Sequence, residues 1–482
     1  MTKRSKLQRR DKPAPGRAAL DPNISPAHNV SHLPADVQNC STDITPPCIK
    51  YLYKIPEPRK TPDSVNSMGL YESGDTYAQG DLDLFFAQYA PYVPQGTHPI
   101  PAFIDGAEAP VLPDDPNNTG ESDIDMDMAY SLIYPQTVTL YQTDDRVQTT
   151  EELNGTLEGF LNTFLDALDG SYCTYSAYGI TGDSPGIDAN YPDPAPGGYK
   201  GALQCGVYTP TRVISASYGE AEGDLPQNYQ QRQCNEFMKL GLQGHSIFFS
   251  SGDYGVASYP GDISPSGCSG MNQNIFTPNY PVNCPYVTAV GATRLYASQD
   301  VSYPESALQA DLGGNATLFA SAGGFANYFP TADYQKTAVA NYFAAHDPGY
   351  PYYISDGTNI GAGGGIYNRA GRGYPDVSAN GAEYRAYTNG TDYHYYGTSL
   401  AAPLWGSIIT LINEERTYHG KGPVGFVNPV LYENPQAFQD IVNGSNPGCG
   451  TAGFHAVPGW DPITGLGTPN FRSLRDLYLS LP

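Results

Sequence analysis

The chain has 482 residues, with 25 Lys and Arg against 49 Asp and Glu and a formal charge of −24, a sign that excludes nucleic acid as the partner of the whole molecule. Only 15% of residues are charged, whereas Gly (53), Pro (43) and Tyr (39) are abundant, which describes a compact, loop-rich acidic protein. No apolar run reaches the length that spans a membrane, so a membrane partner is not expected.

Seven of the basic residues, Lys3, Arg4, Lys6, Arg9, Arg10, Lys12 and Arg17, open the chain. With the Pro- and Asn-rich sequence behind them, residues 1–39 read as a disordered leader. Residues 40–482 contain no break in composition and no repeat, and are read as one large domain. Within it, Gly120-Glu121-Ser122-Asp123-Ile124-Asp125-Met126-Asp127 places Glu121 and Asp125 four apart. On a helix they share one face, and two neighbouring carboxyls cannot both ionise freely, so the pair can hold a proton and act as a base in acid. Asp127, two residues past Asp125, falls off that face.

Thr156 to Asp169 carries Leu157, Phe160, Leu161, Phe164, Leu165 and Leu168 on one side and predicts an amphipathic helix closed by Gly170. A second helix is predicted over Pro226 to Gln243, with Pro226 near its first position. Strands near Val213, Ile247 and Val287 alternate with such helices, the pattern of a parallel α/β sheet. The strand Ser246 to Ser250 runs into Ser251-Gly252-Asp253, which presents Asp253 at the carboxyl end of the strand, where sites form in such sheets.

The most specific string is Tyr396-Gly397-Thr398-Ser399-Leu400-Ala401-Ala402-Pro403, leading into the apolar run Leu404 to Ile412. Ser399 stands at a helix start, where free N–H groups and the helix dipole favour negative charge, and Pro403 is expected in the first turn. A bare Gly-Thr-Ser is also an ordinary helix cap, but the full G-T-S-x-A-x-P string points to peptide hydrolases of the subtilisin clan. A serine nucleophile needs a base, and none of the eight histidines stands in an H-G-T or H-G-S helix motif upstream of it.

A G-T-S serine, a Glu-x-x-x-Asp pair and a Gly-Asp turn in one chain resemble the sedolisin, or serine-carboxyl peptidase, family. The strings around Ser215-Ala216-Ser217-Tyr218-Gly219, Asn283-Cys284-Pro285 and Gly373-Tyr374-Pro375-Asp376 extend the resemblance from about Cys40 to the C-terminus. It implies a subtilisin-like fold, with a parallel central sheet flanked by helices. Glu121 would be the general base, Asp125 its proton-sharing partner, Ser399 the nucleophile and Asp253 an oxyanion donor. It also implies one structural Ca²⁺ near the C-terminus, on the side chains of Asp440 and Asp461 and the carbonyls of Ile441, Val457 and Gly459. Family members often carry glycine where this chain has Val457, a change that a carbonyl ligand tolerates.

The segment Gly69 to Val147 resembles secreted fungal tripeptidyl peptidases of the family, so the expectation is an acid-active enzyme that acts, as a monomer, on polypeptides and releases tripeptides from free N-termini. An endopeptidase is one alternative, and an inactive or unmatured secreted peptide-binding relative is another. Eight cysteines and sequons at Asn23, Asn29, Asn39, Asn117, Asn154, Asn315, Asn389 and Asn443 fit a secreted glycoprotein, with Cys40 and Cys48 the first expected disulfide. Yet Met1 to Leu20 contains no apolar signal segment, and the leader is too short for the prodomain that the family carries. The sequence is therefore read as truncated or misassigned at its start.

Overall fold

The computed structural model describes residues 30–59, 66–153, 159–174, 186–296, 299–310, 319–355 and 357–482. The elements that build the site are, in chain order, α1 (Pro46–Tyr53), β1 (Met68–Ser73), α2 (Gln79–Tyr89), β2 (Ile100–Phe103), α3 (Glu121–Ile133), β3 (Val138–Thr143), α4 (Asn162–Leu168), β4 (Val213–Ala216), α5 (Gln227–Leu242), β5 (Ser246–Ser250), β6 (Thr288–Arg294), β7 (Ser306–Ala307), β8 (Val377–Asn380), β9 (Tyr384–Thr388), β10 (Thr391–Tyr395), α6 (Thr398–Tyr418) and α7 (Phe471–Ser480). Strands β1 to β8 form one sheet in the order β8, β6, β5, β4, β1, β3, β2, all parallel, with β7 added antiparallel to β6.

Its strands are apolar on both faces because both faces are covered. Alternate residues supply two different cores: Leu70, Leu140 and Phe248 join the cluster that contains α3 and α6, while Tyr71, Tyr141, Ile247 and Phe249 join the cluster built with α4 and α5. Helix α6 is the spine of the first core. Its residues from Thr398 to Glu414 are all buried, and Trp405 donates its indole N–H to the Ser378 carbonyl at 2.9 Å. The hairpin β9–β10 leads directly into it.

Two expectations need correction. Residues 30–39, read as the end of a disordered leader, include two 3₁₀ turns at Val30–His32 and Ala35–Val37, and Leu33 and Val37 are buried in the main core. Residues 1–29 lie outside the described residues, as do the sequons at Asn23, Asn29, Asn154 and Asn315 and the segment 156–158 of the predicted helix. That helix begins only at Asn162, and Gly170 opens a further short helix instead of closing this one. Gly159 and Phe160 are held by tertiary bonds instead: Gly159 N–H donates to the Ile187 carbonyl at 2.7 Å, and Tyr71 Oη donates to the Phe160 carbonyl. Four disulfides join Cys40 to Cys48 as expected, Cys173 to Cys205, Cys234 to Cys284 and Cys268 to Cys449. Among the described residues no helix is long and apolar enough to cross a membrane.

Candidate active site

Two helix N-termini meet beyond the carboxyl ends of β1, β4 and β5. Helix α3 starts at Glu121 because Gly120 turns the chain at φ 99°, where a Cβ would also meet Thr388 Oγ1 at 2.5 Å and Tyr395 Oη at 2.8 Å. Its first N–H groups close on a carboxylate from the turn after β1: Asp75 Oδ2 accepts from Glu121 N at 2.7 Å and from Ser122 N at 3.3 Å. The second element is α6, whose second residue, Ser399, hydrogen-bonds the Glu121 carboxyl.

Asp125, one turn along α3, pairs with Ser217 Oγ at 2.8 and 3.0 Å, and that hydroxyl also lies 3.2 Å from the Ser399 carbonyl. Pro403 explains the last contact. The proline lies one turn later than the sequence pattern implied, so its absent N–H is the one that would have met the Ser399 carbonyl, and Ser217 supplies the missing donor. A hydroxyl has one hydrogen to give. A protonated Asp125 donating to Ser217 frees Ser217 to donate to Ser399, so the hydrogen-bond pattern fits a proton resident on Asp125.

Burial pushes Glu121 well above the usual carboxylate range, and the neighbouring Asp125, Glu72 and Asp75 push in the same direction against the Ser399 hydrogen bond. Asp125 is likewise raised by burial and by Asp75, opposed by Ser217. This makes a buried pair that holds a proton in acid and leaves Glu121 in reach of the Ser399 hydroxyl.

Asp253 faces the same spot from the turn after β5. Its Oδ1 accepts from Thr398 N at 2.8 Å and Thr398 Oγ1 at 3.0 Å, while Oδ2 is buried with no hydrogen-bond partner among the described residues. Burial raises its carboxyl to about 7 despite those two bonds. Below that pH it carries a proton that Oδ2 can donate. The space in front of it is kept open by Gly397: a Cβ there would lie 3.5 Å from Asp253 Oδ2 and 3.6 Å from Ser399 N. A carbonyl oxygen seated in that gap would meet a carboxyl O–H and a backbone N–H together, the arrangement of an oxyanion hole.

The four residues singled out by sequence therefore converge. Sequence reading did not single out Asp75, Ser217 and Thr398, nor Glu72, whose Oε2 accepts from Tyr218 Oη at 2.6 Å. One signal was present: Ser73-Gly74-Asp75 repeats, after β1, the Ser-Gly-Asp string that marked Asp253 after β5. Asp127 points elsewhere. Both its oxygens are buried without a hydrogen-bond partner among the described residues, and burial with Asp123 and Asp81 nearby raises it well above the usual range.

At the other end of the chain, the two tail strings also meet. Asp440 Oδ2 accepts from Gly459 N at 2.9 Å, and Asp461 accepts from Val457, Ile463 and Thr464 N–H groups at 2.8 to 3.0 Å. Burial raises Asp461 to about 7. No group of three or more His, Cys, Asp or Glu suited to a metal occurs among the described residues. The ligands that the resemblance implies, the carboxyls of Asp440 and Asp461 and the carbonyls of Ile441, Val457 and Gly459, are all oxygens, the donor type that a hard cation such as Ca²⁺ takes and a soft one does not.

The profile of the Subtilase family matches residues 197–423. Aorsin from Aspergillus oryzae is 55% identical over 465 residues, covering 96% of this chain and 69% of the relative. Tripeptidyl-peptidase sed1 from Aspergillus fumigatus is 50% identical over 456 residues, covering 94% and 67%. The chain belongs to the sedolisin family of serine peptidases. Among solved structures, Pseudomonas sedolisin, a serine-carboxyl proteinase, superposes with a TM-score of 0.61 over 91% of this chain and 99% of its own at 19% identity, which establishes the subtilisin-like fold. The protein is a serine-type peptidase, and polypeptides are its substrates.

Proposed function

We propose that the protein is an acid-active serine-carboxyl peptidase that releases tripeptides from free N-termini through an acyl-enzyme on Ser399. The observation that carries the chemistry is the Ser399 hydrogen bond to the buried Glu121 beside a second buried carboxyl, Asp125. The Aspergillus fumigatus relative named a tripeptidyl-peptidase supports the specificity. Ser399 Oγ attacks the peptide carbonyl carbon while ionised Glu121 takes the hydroxyl proton, with Asp125 keeping the proton the pair shares. The oxyanion enters the gap beside Gly397, held by the Asp253 O–H and the Ser399 N–H. Collapse breaks the C–N bond, and Glu121 returns its proton to the leaving amine. Water, deprotonated by Glu121, then releases the acyl group and restores Ser399.

Asp440 and Asp461, with the carbonyls of Ile441, Val457 and Gly459, are proposed to hold one Ca²⁺, which would supply electrostatic cross-linking of the tail and no chemistry in the cleavage. Four disulfides support a secreted protein, with N-glycans at sequons such as Asn389, exposed at the β9–β10 turn. We further propose that it works as a monomer, without nucleic-acid partners. The test is the pH profile of hydrolysis of a fluorogenic tripeptide with a free amine, beside its N-acylated twin and the Ser399→Ala protein. Activity confined to acid, lost in the variant and absent on the blocked peptide is expected. Cleavage of both peptides would replace tripeptide release by endopeptidase action, and cleavage by Ser399→Ala would remove the acyl-enzyme.

A further inference from the structure

We infer that Asp75, which the sequence reading did not single out, is a positioning residue of the reaction: its carboxylate clamps the start of α3 and sets the pH at which Glu121 becomes a base. The inference rests on the Glu121 and Ser399 assignments above. Asp75 is fully buried and gathers five donors: Thr76 N and Thr119 N on Oδ1, both at 2.9 Å, and Thr119 Oγ1 at 3.0 Å, Glu121 N at 2.7 Å and Ser122 N at 3.3 Å on Oδ2. The shortest of these bonds is to the backbone of the general base itself.

A helix N-terminus needs such an acceptor, but Ser, Thr or Asn at the capping position meets the need without a full charge. Here the cap position is Gly120, which has no side chain, and the acceptor comes from a different strand end. The charge is therefore placed, at a distance in sequence, against the two carboxyls that do the proton transfer. Asp75 acts on both members of the pair. The groups facing the pair from the surrounding elements are Glu72 at the end of β1, Asp75 after it, Ser217 after β4 and Ser399 on α6. The charged ones are all carboxyls. A carboxylate that accepts from five donors beside the pair, and so favours a proton on it, is the role that position offers.

The test is the acid limb of kcat/KM in Asp75→Asn and Thr119→Val, with Glu121→Gln as reference. Asp75→Asn removes the charge and turns one accepting oxygen into a donor, so part of the clamp is lost with it and the acid limb moves to lower pH by about one unit. Thr119→Val leaves the charge but removes one donor that offsets it, so the limb moves the other way. If the asparagine variant does not fold, the valine variant decides alone. A limb that stays at the wild-type pH in the folded variants, with only kcat or Tm lowered, overturns the inference and leaves Asp75 a structural cap. Full activity in Glu121→Gln would instead overturn the base assignment on which it rests.

Discussion

Replacing Gly397 by alanine separates the stability of this protein from its chemistry. The residue has φ 160° and ψ 155°, an extended conformation open to any side chain, and the added Cβ would lie 3.5 Å from Asp253 Oδ2 and 3.6 Å from Ser399 N and Cβ. Those are ordinary van der Waals separations, so the folded state is not strained. Loss of glycine freedom in the unfolded chain should even stabilise the protein by about 0.4–1 kcal/mol. The same methyl group occupies the gap between two donors that must lie about 2.7–3.1 Å from an oxyanion, and loss of a single such donor costs on the order of 10²–10³ in kcat. Gly397→Ala is therefore expected to lower kcat by at least that factor with Tm unchanged or raised. Burst-phase measurement of the acyl-enzyme with an activated ester, beside differential scanning calorimetry, checks both halves. A folded Gly397→Ala protein that keeps more than a tenth of wild-type kcat would show that the oxyanion lies elsewhere.

Further outcomes follow from the buried carboxyls. Asp253→Asn donates from a neutral amide at every pH, so the alkaline limb that Asp253 contributes near pH 7 should vanish from the kcat/KM profile; an unchanged limb would remove Asp253 from the oxyanion hole. Asp253, Glu222 and Asp461 each stand at about 7 in the folded chain, above their ordinary values. Groups raised by folding stabilise the protein fully below their unfolded pKa, and this contribution is lost as pH rises to the folded value, so Tm should fall from about pH 4 to pH 7. A Tm that climbs over that range contradicts the burial argument. Asp127→Asn, away from Ser399, should lessen the loss of Tm with rising pH without changing kcat in acid, as read by paired melting and rate curves. Calcium should raise Tm more at pH 7 than in acid, where Asp461 is protonated, and Asp440→Ala should abolish the response; an equal response in that variant would dismiss the site.

What the sequence revealed was local pattern, and what it hid was tertiary exchange of partners. Glu121 and Asp125 were legible because a helix fixes their spacing, and Ser399 because G-T-S-x-A-x-P is a rare string. Helix α5 was found almost to the residue, since Pro226 and the apolar spacing both mark it. Asp75 and Ser217 were not legible as parts of the site because each serves an atom far away in sequence: Asp75 caps a helix 46 residues later, and Ser217 stands in for the N–H that Pro403 lacks on a helix 182 residues later. The shortened α4 has the same origin. Its apolar stripe is real, but the backbone of Gly159 and Phe160 is claimed by Ile187 and Tyr71 before a helix can use it. Leu33 and Val37, in a stretch of leader-like composition, were missed because two apolar side chains suffice to seat a short turn on an existing core.

Helix α6 is at once the mount of Ser399 and, from Thr398 to Glu414, a wholly buried spine of the main core, threaded against β1, β4, β5, β6 and β8. Amide protons along its middle can exchange with solvent only when the whole cooperative unit opens, so they should be among the slowest in the protein. The nucleophile is thus tied to the last part of the molecule to come apart. Warming should bring no interval in which a loosened active site sits on an intact scaffold: activity and the native heat-absorption peak should disappear together.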